Sequence, residues 1–190
     1  MIQQGKAIVP LHTELSTSRQ SYDRTTRRNR HRELRRHDLA RHLRIEPLEA
    51  RIVLTAYLVN TLDDTSTAND GFISLREAIQ AANTNTAFRD APAGQAGPLN
   101  VDTISFAPSL SGQEINLGPL GAFQITDALT ISDANPLPLS LDAQNASRIF
   151  EIPAGISGVS ISNVALQNGQ AAIGGAILVG SGASLTLNRV

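Results

Sequence analysis

Val159-Ser160-Ile161-Ser162-Asn163-Val164 and Leu185-Thr186-Leu187-Asn188-Arg189-Val190 are one pattern written twice, 26 residues apart. In both copies aliphatic residues alternate with hydroxyl or amide residues, the period of a strand that buries one face. A repeat of this length holds about three short strands and their turns, which is one coil of a parallel β-helix.

Working outward, the same alternation predicts strands at Tyr57–Thr61, Thr103–Phe106, Glu114–Leu117, Phe123–Ile125, Leu129–Ile131, Leu139–Leu141, Ile149–Ile152, Val159–Ile161, Val164–Leu166, Ile177–Val179 and Leu185–Leu187. From Leu129 to Val159 they begin about every ten residues, too close for crossover helices, which leaves a sandwich, a barrel or a solenoid. Tight hairpin turns are nearly absent, Asn168-Gly169 being the exception. The repeat therefore favours the solenoid.

One stretch has a helical period instead: Asp70-Gly71-Phe72-Ile73-Ser74-Leu75-Arg76-Glu77-Ala78-Ile79-Gln80-Ala81-Ala82-Asn83. Ser74 stands three residues before Glu77, the spacing of a capping box. Leu75, Ala78, Ile79 and Ala82 fall on one narrow apolar stripe, and Asn83 is placed to close the helix. Such a helix is suited to cover the open end of a sheet stack.

Composition agrees with thin layers. The chain has 190 residues, 41% hydrophobic and 4% aromatic, with no Trp and no Cys. That excludes a disulfide framework and any thiolate metal site. Charge divides the chain in two: residues 1–56 carry twelve of the sixteen Lys and Arg, six acids and all four His, whereas residues 57–190 carry four Arg and eleven acids. The organisation expected is a disordered basic tail over 1–56, an N-terminal cap over 57–100, and β-helix coils over 101–190. Val190 falls within a repeat, so a fragment, or stacking on a partner or a second copy, is expected for the last coil.

In the tail, Arg27-Arg28-Asn29-Arg30-His31-Arg32 is the densest charge. A phosphate-binding arm would use such a cluster, but no aromatic interleaving accompanies it and the acidic remainder would repel a polyanion, so nucleic acid is not the expected partner. A basic tract that runs into a short apolar segment ending at Ala56 also has the order of an export signal and its processing site. The apolar run is far shorter than the roughly 20 residues of a membrane span.

Three resemblances sharpen these readings. Leu48-Glu49-Ala50-Arg51-Ile52-Val53-Leu54 resembles the LEPR-XLL-type tag of large exported bacterial proteins, with Ala50 where the motif has proline. Asn60-Thr61, the acidic loop, Ile73-Ser74-Leu75-Arg76-Glu77-Ala78-Ile79 and Ala82-Asn83 resemble the CSLREA-type module that precedes parallel β-helices in bacterial surface proteins. Asp102-Thr103-Ile104-Ser105-Phe106, Pro108 to Gln113 and Ile115-Asn116-Leu117 match that family's usual continuation. Gly174-Gly175-Ala176-Ile177, with Asn188 eleven residues later, resembles the repeats of polymorphic outer membrane proteins. These resemblances imply an all-β, single-stranded right-handed parallel β-helix of pectin-lyase-like type with an N-terminal capping helix, secreted or attached to a bacterial cell surface.

Candidate functional residues are sparse. After Ala56 there is no His, Lys or Cys, which removes most bases and nucleophiles that work near neutral pH. Asp63, Asp64 and Asp70 in the loop before the helix offer oxygens to Ca²⁺; a solvated turn with an Asx motif is the ordinary reading. Arg148 and Glu151 would bind an acidic sugar or form an ion pair. Asp127 and Asp133 are considered as carboxylates flanking one corner, as a glycosidase needs. Asn145, Asn163, Asn168 and Asn188 fit turns that need a left-handed residue, and Gly174 and Gly175 a tight corner between strands. The reading reached is a structural or adhesive surface protein that contacts polysaccharide or cell-surface components and needs no cofactor. The alternative is a carbohydrate-active lyase or hydrolase.

Overall fold

A computed structural model of the chain describes residues 55–66, 70–96 and 100–190. The basic tail up to residue 54 and the LEPR-XLL-type stretch lie outside the described residues.

Among the described residues there are eleven strands, and all but the last three alternate buried and outward residues as their sequences dictate. They are β1 (Ala56–Val59), β2 (Asp102–Phe106), β3 (Glu114–Asn116), β4 (Phe123–Gln124), β5 (Leu129–Ser132), β6 (Leu139–Asp142), β7 (Phe150–Ile152), β8 (Val159–Ser162), β9 (Val164–Gln167), β10 (Ile177–Val179) and β11 (Leu185–Asn188). The single α-helix among the described residues, α1, spans Leu75–Thr84.

Every pairing between these strands is parallel, and three sheets result: β1-β2-β5-β8-β11, β3-β6-β9 and β4-β7-β10. Following the chain, strands visit the three sheets in the same order three times, so the fold is a β-helix of roughly three turns. The written repeat is the register itself, since Val159 pairs with Leu185 and Ile161 with Leu187.

The core is a column of thin layers. Ile104, Ile131 and Ile161 stack along the five-stranded sheet, Ile115 and Leu141 along the second, and Phe123 and Phe150 along the third, all buried. The two phenylalanines pair with ring centroids 5.7 Å apart and planes tilted by 38°, a favourable aromatic geometry. The scarce rings are thus used in the core, Phe123 and Phe150 on this sheet and Tyr57 and Phe106 on the five-stranded one.

The corners explain the asparagines. Only Asn163 separates β8 from β9, at φ +54°. Asn145 and Asn168 are also left-handed, as is Arg189 where the next coil repeats the Asn163 corner. Asn188 is not a turn residue: it ends β11 as the register partner of Ser162. Asn163 bonds in both directions, its backbone N–H to Asn188 O (2.9 Å) and its Nδ2 to Asp133 O (2.8 Å). Gly174 has φ +64°, and a β-carbon there would lie 2.7 Å from Ile177 O; one at Gly175 would lie 3.0 Å from Gly169 O. The corner before β10 is built by backbone touching backbone.

Helix α1 closes the front of the stack. Ser74 Oγ accepts from Glu77 N–H, and the Glu77 carboxylate accepts from Ser74 N–H (3.0 Å), which is the capping box. Leu75, Ala78, Ile79 and Ala82 are buried, and so are Glu77 and Ala81. The helix runs past Asn83 to Thr84, and the left-handed Asn85 closes it.

Candidate functional site

The loop before α1 is a clamp. Asp64, its side chain 2% exposed, takes Arg76 Nε at 2.6 Å and Arg76 Nη2 at 2.8 Å, and its Oδ2 also accepts Gly118 N–H at 2.8 Å. Arg76 then donates to Gly121 O (2.7 Å) and lies 4.5 Å above the Phe123 ring, a cation–π contact. One bidentate pair ties the loop, the helix and the turn before β4. Asp70 forms an Asx turn to Phe72 N–H (2.9 Å), while Asp63 is exposed. Among the described residues no three acids or histidines gather to hold a metal ion. The Asp64 oxygens are thus engaged by Arg76 and Gly118, and Asp63 and Asp70 are not gathered with them.

A second polar cluster lies under the end of α1. Asn85 Nδ2 donates to Asp127 Oδ2 (2.9 Å), which turns Asn85 Oδ1 toward Asp102 and Tyr57. A β-carbon at Gly94 would collide with Asp102 Oδ2 and lie 3.0 Å from Tyr57 Oη and 3.1 Å from Asn85 Oδ1. Tyr57 Oη and Asn85 Oδ1 are buried without a hydrogen-bond partner. Burial raises the Asp102 carboxyl above its ordinary range; hydrogen bonds from Gln95 and Thr55 N–H oppose this and the Asp127 charge adds to it. Burial, with the charge of Asp102, raises the Tyr57 phenol. Burial likewise raises the Glu77 carboxyl, against the hydrogen bonds from Ser74.

Most other acids position backbone. Asp133 accepts from Asn135 N–H (2.9 Å) and Leu139 N–H (2.8 Å), Asp142 from Gln144 N–H and Asn168 Nδ2, and Asp127 also from Ala128 N–H. Asp127 precedes β5 and Asp133 follows it, so the two stand at opposite ends of one strand and share no corner. Arg148 and Glu151 form an ion pair at 2.8 Å, and Arg148 Nη2 also reaches Ile173 O. Ala56 is the first residue of β1, and Thr55 O already accepts Thr103 N–H (2.9 Å).

Comparison with family models, curated proteins and solved structures found no match to this chain. The site therefore rests on its own geometry.

What the molecule presents outward is one periodic face. On the five-stranded sheet Thr103, Thr130, Ser160 and Thr186 form one outward column in register, and Ser132, Ser162 and Asn188 form another. Ser162 Oγ donates to Ser132 Oγ at 2.9 Å, so neighbouring rungs touch. Neither column contains an ionisable group. The other two sheets differ, with Glu114 and Asp142 outward on one and Glu151 on the other. Concavities flank the hydroxyl face at both strand ends: about 480 Å³ beside Asp127, Ala128 and Gly158, and about 420 Å³ between Ser132, Ser162 and Asn188 on one side and Asn135 and Pro136 on the other. The written repeat sets Ser162 beside Asn188, but nothing in it shows that Ser132 of the preceding coil extends the row.

Proposed function

We propose that this chain is an exported or cell-surface β-helix protein with a structural or binding role, its solenoid holding a periodic outer face in place. The observation that supports this reading is the commitment of the carboxylates. Asp64, Glu77, Asp127, Asp133 and Asp142 are engaged by backbone and neighbouring side chains, so these five carboxylates hold turns and caps in place. The LEPR-XLL-like and CSLREA-like stretches support export and the cell surface, with removal of the basic tail near Ala56.

The test is expression of the full chain in a bacterium with fractionation, N-terminal sequencing of the exported form, and binding assays on cell walls and polysaccharides. Export with a new N-terminus near Thr55, and retention on a surface without cleavage products, is expected. Retention in the cytoplasm, or steady release of oligosaccharides, contradicts the proposal.

A further inference from the structure

We propose that the Ser132, Ser162 and Asn188 row, with the groove beside it, binds an uncharged polysaccharide chain. This deepens the binding role proposed above and rests on it.

Charge comes first. An acidic polymer needs cations along its path, and the two outward columns offer none; among the described residues Arg189, at the far end of the groove, is the single cation lining it. The one acid in the groove wall, Asp133, is 3% exposed and satisfied by two backbone N–H groups. What remains for a ligand is hydroxyl and carboxamide chemistry. A hydroxyl carries one donor and two acceptor sites. Because Ser162 Oγ gives its proton to Ser132 Oγ, the Ser132 proton is free to point outward, and the exposed Asn188 side chain offers both a donor and an acceptor. Sugar hydroxyls, which donate and accept alike, complement this row.

Spacing comes second. Adjacent rungs of a parallel sheet lie about 4.8 Å apart, so a row down the solenoid axis repeats on the scale of one sugar ring. Asn135, tied to Phe106 O and Ala107 O and accepting from Asn163 Nδ2, holds the opposite wall upright. Among the described residues no aromatic ring lines the groove beside the row, so attraction comes from many weak hydrogen bonds. Binding should therefore be weak per rung and insensitive to ionic strength.

The experiment is co-sedimentation of the full chain with insoluble cellulose and xylan, with polygalacturonate gel as the acidic arm. Depletion by a neutral polymer, unchanged up to about 0.5 M salt, is expected. Ser132→Ala/Ser162→Ala/Asn188→Ala should weaken it about ten-fold or more, while Ser140→Ala/Gln167→Ala on another sheet should not. Should the triple variant lose its circular dichroism, Ser162→Glu, which alters only an outward side chain, replaces it. Binding to polygalacturonate that disappears with Arg189→Ala overturns the neutral-ligand inference but leaves a binding role standing. Failure to bind any polysaccharide, while whole cells still retain the chain, overturns the inference alone. Failure on both removes the binding role as well.

Discussion

Asn83 stands to Thr126 as one residue of a parallel ladder stands to another, although it belongs to a helix. Its Oδ1 accepts Thr126 N–H at 2.8 Å while its Nδ2 donates to Gln124 O at 2.7 Å. A strand residue opposite Ile125 would make the same two bonds through its own peptide groups. The front edge of the β4 sheet is thus ended by a side chain that imitates one more rung, which answers the unpaired-edge problem of stacked strands.

Replacing Asn83 by Ala should cost about 1–2 kcal/mol, since two edge groups lose their partners. Asn83→Asp should be worse than Ala, because an anion would then face Gln124 O. Urea denaturation of the three proteins checks the order.

The Asp64 and Arg76 pair makes a sharper claim. Arg76→Met should cost about 3 kcal/mol or more, because the buried Asp64 charge is left alone. Arg76→Met/Asp64→Asn should recover a large part of that loss. A double-mutant cycle in guanidinium measures the coupling; additive losses would mean the clamp is not a unit.

Asp102 and Glu77 both have carboxyls raised by burial, so the folded state holds their protons more readily than the unfolded chain. Their contribution is present below the ordinary values of 3.8 and 4.5 and is lost as pH rises through the raised folded values. Acidifying from neutral toward those values should therefore raise this part of the stability. Asp102→Asn should flatten that slope. At neutral pH it should also stabilise by about 1 kcal/mol, because the substituted amide supplies the donor that Asn85 Oδ1 lacks. Thermal melts across pH for the two proteins test both statements.

At the one-residue corner, Asn163→Gly keeps the left-handed backbone and loses the bond to Asp133 O, about 1 kcal/mol. Asn163→Ala loses the bond and adds roughly 1–2 kcal/mol for φ above zero. Ala should thus melt below Gly, the reverse of their order at an ordinary solvated turn.

The coil architecture was legible because each layer is written in the chain. The Ile104, Ile131 and Ile161 positions recur with outward Thr or Ser on either side, and the spacing of Val159 and Leu185 is their register. The capping box was legible because it is local. The clamp and the helix docking were not, since Asp64 meets Gly118, and Asn83 meets Gln124, across 54 and 41 residues with no periodic signal. Asp64 read as a loop acid open to calcium because sequence spacing cannot show that Arg76 folds back over it. Asn83 read as a helix terminator because asparagine commonly is one; here Asn85 does that work.

The central claim is that successive coils stack in parallel and in register, and the absence of native cysteine makes it directly measurable. Thr130→Cys/Ser160→Cys joins Cα partners on the same outward face, and neighbouring strands about 4.8 Å apart fall within the Cα range of a disulfide. Mild oxidation should close this bond nearly completely without loss of circular dichroism, while Thr130→Cys/Ile161→Cys, whose side chains lie on opposite faces, should stay reduced. Ready closure of the offset pair, with the in-register pair left open, would contradict the stacking on which the account depends.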